Sequence, residues 1–245
     1  MHVLGPAPAQ YASQVTQAAR RSLEELAHDI ERRDALMLEP RLERGNTVDR
    51  LDEASAQFDL VVAGARGEHA LLDLALGRTS DRLARRLRRA LLVVKRPARA
   101  PYRRVLVAVD FAPASRAAAL LARRLAPAAE LRLAHGFEVE FESTLRLAGI
   151  TEDKVNGYRR EAREHAAAQM ERFIADLGVA GQEMLSIIAH GYAPHVVLEQ
   201  AAAFDAELIA LGRTGRSKME EWLLGSVALH VLELARCDVM LVPSA

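Results

Sequence analysis

The segment Leu211 to Val227, LGRTGRSKMEEWLLGSV, carries the most chemically pointed spacing in the chain. Gly212 is followed after two residues by Gly215, and after nine more by Gly225 and Ser226. Glycine reaches positive φ without strain and lacks the Cβ that would hold a charged ligand away from the backbone. Successive N–H groups presented in such turns form an anion-binding concavity. Gly225-Ser226 would then open a helix, whose first N–H groups have no intrahelical partners and sit at the positive end of the dipole. The Ser226 hydroxyl adds a donor, and Arg213 and Arg216 add screening charge. This set suits a triphosphate. The rival reading is a plain turn, since glycines are common after strands. The spacing is not a P-loop, because no Gly-Lys-Ser/Thr follows the glycines, and it differs from the dinucleotide fingerprint.

Such a loop works only at the end of a strand, and an internal repeat shows which one. FDLVVAGARGEHALLDLALG (Phe58 to Gly77) parallels AELIALGRTGRSKMEEWLLG (Ala206 to Gly225), with Gly64, Gly67 and Gly77 each 148 residues before Gly212, Gly215 and Gly225. Each copy follows a short apolar run, Leu60–Ala63 or Leu208–Leu211. Each precedes a helical segment and a second apolar run, Leu91–Val94 or Val239–Val242, closed by Pro97 or Pro243. Between the copies, KRPARAPY (Lys95 to Tyr102) reads as a linker. Two domains are therefore expected, at residues 1–98 and 99–245.

The second domain reads as five strands alternating with helices, the signature of a doubly wound parallel α/β sheet. Its strands are placed at Arg104–Asp110, Leu131–His135, Met184–Ala189, Leu208–Leu211 and Val239–Val242, with a long helix over Glu152–Leu177 ending at Gly178. The first domain begins with Met1–Leu4, which resembles the second strand of that series. A helix over Tyr11–Arg32, a strand at Ala35–Leu38 and a helix over Val48–Gln57 follow. Nothing corresponds to Arg104–Arg124, so the first strand and first helix are missing. Direct pairing of Met1–Leu4 with Leu60–Val62 is expected to close the gap.

The glycine spacing with its following Ser-Val, the strand end VAVDFAPAS (Val107 to Ser115) and the strand-end histidine of LRLAH (His135) resemble the nucleotide-binding universal stress proteins. The resemblance covers nearly all of residues 102–245 and, less completely, 1–97. It implies two adenine nucleotide alpha-hydrolase-like, Rossmann-like domains in tandem. It further implies that Asp110 holds the ribose or adenine side, and that Ala108, Val109 and Leu211 flank the base. Gly212, Arg213, Gly215, Gly225, Ser226 and Val227 would wrap the phosphates of ATP, alone or with Mg2+. Family members pair through their last strands, so the two copies would form an internal pseudo-dimer, with a homodimer of whole chains also open. Asp110 has a rival role as a helix cap, and His135 reads as structural. The first copy has Arg78 where the second has Ser226, carries Glu68 and Asp73 in its loop, and lacks any counterpart of Asp110. One nucleotide per chain, in the second domain, is expected.

Composition narrows the alternatives. The 245 residues hold 33 basic and 33 acidic side chains, so bulk charge offers no argument for nucleic acid, which is not an expected partner. Half the residues are hydrophobic and no apolar run is long enough to span a bilayer, so a soluble protein with no membrane partner is expected. Cys237 is the single cysteine, which excludes an internal disulfide and a Cys-based zinc site and fits a reducing cytoplasm. There is no G-x-S-x-G nucleophile motif, and His165 has no metal-binding partner one helical turn on. A sensor, or at most a slow ATPase, is expected. An alternative is an interaction protein, or a nucleic-acid-associated one, using Arg78, Arg82, Arg85, Arg86 and Arg89, which share a helical face. The plainer reading of that stripe is a solvated surface.

Overall fold

The computed structural model describes residues 1–5, 8–65, 77–98, 100–178, 184–214 and 224–244. Contacts divide the chain into two compact units, Met1–Asp59 and Leu60–Ala245. The first unit holds strand β1 (His2–Leu4), helix α1 (Ala12–Asp34), strand β2 (Leu42–Arg44) and helix α2 (Thr47–Ser55). β1 and β2 pair in parallel, with Val3 opposite Glu43, as a two-stranded sheet. Asn46 caps α2 by accepting from the N–H groups of Val48 and Asp49.

Two expectations for this unit fail. The strand placed at Ala35–Leu38 lies at Leu42–Arg44 instead. Ala35 takes the left-handed conformation (φ 53°) that ends α1, so the apolar ALML that follows is the exit of a helix, with Met37 fully exposed. Likewise, β1 does not pair with Leu60–Val62. Its hydrogen-bonding edge is taken by β2, while Leu60–Val62 belongs to a different sheet. The β1–β2 parallel pair satisfies one edge of each strand locally.

The second unit continues with β3 (Leu60–Gly64), α3 (Arg78–Arg86), β4 (Ala90–Val94), β5 (Arg104–Ala108), α4 (Pro113–Leu125) and β6 (Glu130–Phe137). Then come α5 (Glu142–Leu147), α6 (Glu152–Asp176), β7 (Leu185–His190), α7 (Ala193–Ala203), β8 (Leu208–Gly212), α8 (Ser226–Leu234) and β9 (Asp238–Val242). Seven strands form one sheet in the order β3-β4-β9-β8-β5-β6-β7. All neighbours are parallel except β4 and β9. The inner strands read as unbroken apolar runs because helices cover both faces, and Val105, Leu106, Val107, Leu208, Ile209 and Met240 are fully buried. Helix α5 has no counterpart among the sequence expectations. Among the described residues, no helix is long and apolar enough to cross a membrane.

The repeat is structural as well as sequential. β3, α3 and β4 have the same bounds as β8, α8 and β9 shifted by 148 residues at both ends. The two last strands lie side by side, as the family resemblance implies. The register pairs Leu91 with Leu241, Leu92 with Met240 and Val93 with Val239. Leu92 and Met240 are themselves equivalent positions of the repeat, and the flanking pairs exchange equivalents. This reciprocity is the signature of an isologous contact between two copies. It also buries what would be two apolar sheet edges. The linker is fastened to the same strands. Asp238, buried, accepts from the N–H groups of Lys95 (2.7 Å) and Arg96 (3.3 Å) and from the Tyr102 hydroxyl (2.6 Å). Lys95 Nζ donates to the carbonyls of Leu232 and Ala235 at the end of α8, both at 2.7 Å. Desolvation, then the hydrogen bond to Asp238, raises the Tyr102 hydroxyl pKa above its ordinary range.

Candidate functional site

In the second unit the chain runs outward from β5 through β6 to β7, then returns to place β8 on the other side of β5. The reversal leaves a crevice beyond the carboxyl ends of β5 and β8, the place where open α/β sheets bind ligands. A cleft occupies it. Ala108, Val109 and Asp110 line one side, at the end of β5. Leu211, Gly212 and Arg213, at the end of β8, line the other. Gly225, Ser226 and Val227 complete it at the start of α8. Nine of the eleven residues singled out from the sequence thus meet in one cleft. Gly215 and Arg216 lie outside the described residues, as do Trp222 and the equivalent loop residues of the first copy.

Local hydrogen bonds fix the frame. The N–H of Arg213 donates to Val242 O (2.8 Å) and that of Gly225 to Arg213 O (2.9 Å). The first copy repeats both, with Ala65 N–H to Val94 O (2.7 Å) and Gly77 N–H to Ala65 O (2.8 Å). Each pair closes the loop back onto its own last strand. Neither of the described loop glycines, Gly212 and Gly225, takes a positive φ. Gly225 is extended (φ −62°, ψ 151°), a conformation open to any residue. Gly212 is needed for close packing: a Cβ there would lie 2.8 Å from Ala114 Cβ and 3.2 Å from Ser115 N. Helix α4 therefore sits tight against the end of β8, and this brings Asp110 to the loop.

Asp110 both caps a turn and lines the cleft. Its Oδ1 accepts from Ala112 N–H (3.0 Å) and from the Ser115 hydroxyl, while its own N–H donates to Ser115 Oγ (3.1 Å). The carboxylate closes the turn that leads into α4, whose N-cap is Ala112, so Asp110 does not cap the helix itself. Arg213 is buried, and its Nη1 donates to Leu87 O at the end of α3. Burial, then the neighbouring Arg88, lowers its pKa. Its guanidinium ties the loop to the first copy, while its backbone faces the cleft frame.

Sequence reasoning missed the third wall. Ala134, His135 and Gly136 at the end of β6, and Ala193 and Val197 of α7, also line the cleft, with Ser115 and Ala228. His135 Nδ1 donates to Val109 O (2.7 Å), since a carbonyl can only accept, and its ring packs on Phe111 at 4.5 Å. Gly136 admits α7: a Cβ would meet Ala193 Cα at 2.9 Å. Ala108 pairs with Ala134, so the residues after each share a sheet edge. The cleft is thus apolar on the β6–α7 side and rich in backbone donors on the α8 side. Among the described residues, no group of three or more His, Cys, Asp or Glu side chains could hold a metal ion.

Comparison with known proteins matches this arrangement. The universal stress protein family model matches residues 1–95 and again 101–243. The chain belongs to the universal stress protein family. A universal stress protein of Bacillus subtilis strain 168, YxiE, is 30% identical over 146 residues, covering 58% of this chain and 99% of that protein. Two solved structures share the fold over 99% of this chain. A universal stress protein from Archaeoglobus fulgidus has a TM-score of 0.70 at 20% identity and is covered over 86% of its length. A functionally unknown protein from Pseudomonas aeruginosa PAO1 has a TM-score of 0.61 at 18% identity, with 81% covered.

Proposed function

We propose that this universal stress protein binds one adenine nucleotide, ATP, in the cleft between β5, β6 and β8, and acts as a nucleotide-dependent regulator. The observation that carries the reading is the meeting of Asp110 with Gly225-Ser226 across the topological switch point. A nucleotide is apolar at its base and highly charged at its phosphates, and the cleft has the same polarity. Ala108, Ala134, Gly136 and Val197 would bury the base, which supplies orientation and apolar contact. Asp110, held by Ser115, would accept hydrogen bonds from the ribose hydroxyls. Ser226 and the first N–H groups of α8 would meet the phosphates. A Mg2+ ion accompanying the triphosphate would take its ligands from phosphate and water. Asp110 and His135 are the described cleft residues able to act as bases, and both are bound into local structure. Sensing, or hydrolysis that is slow at most, fits this better than fast turnover. The β4–β9 register supports an internal pseudo-dimer of copies divided near residue 98. Mass spectrometry of freshly purified, denatured protein tests the reading: retained ATP or AMP is expected. Absence of nucleotide together with a flat ATP titration would overturn it.

A further inference from the structure

Arg213 belongs to the cleft and to the first copy at once. It lines the cleft, and its backbone holds the frame there. Its N–H donates to Val242 O (2.8 Å) at the end of β9, and its carbonyl accepts from the N–H of Gly225 (2.9 Å), the N-cap of α8. Its side chain is buried, and Nη1 donates to Leu87 O. Leu87 is the C-cap of α3, is itself buried, and donates its N–H to Leu83 O (2.9 Å). A cation at the last carbonyls of a helix meets backbone acceptors that lack intrahelical donors and faces the negative end of the dipole. These contacts close a circuit. β4 begins three residues after Leu87 and pairs with β9, and β9 holds the Arg213 N–H. A shift of the cleft frame is therefore felt at the end of α3.

The repeat shows that this reach is not part of the shared frame. Ala65 stands where the second copy has Arg213 and makes the same two backbone bonds, but its side chain is a single methyl. The end of α8 is held instead by Lys95, whose Nζ donates to Leu232 O and to Ala235 O, and Ala235 is the repeat equivalent of Leu87. Each helix thus receives a cation from the other copy, and only the cation on α3 comes from a residue of the cleft.

We propose, resting on the nucleotide reading of the cleft, that Arg213 is a positioning residue that couples nucleotide occupancy to the first copy. A nucleotide that immobilises the Arg213–Gly225 frame also fixes the end of α3, and a fixed α3 end in turn favours the frame that binds. Coupling between two places is reciprocal, so a tether that the ligand tightens must also raise the ligand's affinity.

The test is hydrogen exchange of the whole chain, read over residues 78–89 with and without saturating ATP, beside an ATP titration. In the parent, ATP should slow exchange at the end of α3 by about fivefold or more, the low end of usual coupling factors. Arg213→Met keeps an unbranched side chain and removes the donor. It should bind ATP about fivefold or more weakly and, at saturation, show no slowing over residues 78–89. Arg213→Lys, which keeps a charge and a donor, should recover part of both effects. Lys95→Met removes the cation at the end of α8, outside the cleft, and should keep the ATP-dependent slowing. A flat ATP titration of the parent would overturn the nucleotide reading and the coupling with it. Clear ATP binding with unchanged exchange over residues 78–89 in the parent would overturn the coupling alone, without recourse to any variant. Slowing that survives in Arg213→Met would do the same.

Discussion

The two copies of the repeat share a frame and differ in what surrounds it. Strand, loop closure, helix and last strand recur at an interval of 148 residues, down to the hydrogen bonds of Ala65 and Arg213 to the strand that follows. Around the second frame stand β5, α4, β6 and α7, which together wall a cleft. Around the first, among the described residues, the second unit holds no counterpart of β5 or α4, and β3 forms the end of the sheet. The difference separates two roles that one motif can hold. The frame pairs the copies through β4 and β9. The proposed binding would need the frame and its neighbours together.

The largest effect should come from the centre of the pairing. Met240 is fully buried opposite its repeat equivalent Leu92. Met240→Ala is expected to cost about 2–5 kcal/mol in urea unfolding, as for other large buried truncations. A loss below about 1 kcal/mol would mean that the β4–β9 pairing is peripheral to stability.

Next is the linker anchor, which only the second copy possesses: Asp238 stands where the first copy has Ala90. Asp238→Ala strands three donors and should cost about 1.5–3 kcal/mol. The same anchor sets a pH dependence. Tyr102 has a raised pKa when folded, so its contribution is fully present below the unfolded tyrosine value of about 10 and declines as pH rises past it. Alkaline unfolding should therefore steepen above about pH 10, and Tyr102→Phe should flatten that limb. An identical alkaline limb in the variant would remove Tyr102 from the account.

A smaller and sharper contrast lies in two equivalent glycines. At Gly212 a methyl group meets Ala114 at 2.8 Å, so Gly212→Ala should destabilise by about 1–3 kcal/mol. Gly64 is exposed and, among the described residues, has no counterpart of α4 beside it, so Gly64→Ala should stay within about 0.5 kcal/mol of the parent. Equal effects in thermal unfolding would show that the copies are packed more alike than this contrast allows.

These contrasts follow how far the sequence could be read. The repeat, the five strands of the second domain and nine cleft residues were legible because glycine spacing and unbroken apolar runs are local signals. ALML at 35–38 misled because an apolar run leaving a helix resembles a strand; the left-handed turn at Ala35 that decides it leaves no mark in composition. Helix α5 was missed because six residues carry too little periodicity. The reason for Gly212, the wall at His135 and Gly136, and the turn of Arg213 toward Leu87 all depend on residues distant in the chain. Such contacts exist only once the sheet order is known.

Calorimetric titration with ATP tests the division of roles most directly. Gly225 and Gly77 occupy the same place in their copies and share nearly the same backbone, φ −62° and −67°, which valine can adopt. One nucleotide per chain is expected. Gly225→Val should weaken binding at least tenfold, about 1.4 kcal/mol. Gly77→Val should leave both stoichiometry and affinity unchanged. Two equivalent sites per chain, or loss of binding in Gly77→Val alone, would contradict the assignment of the working cleft to the second copy.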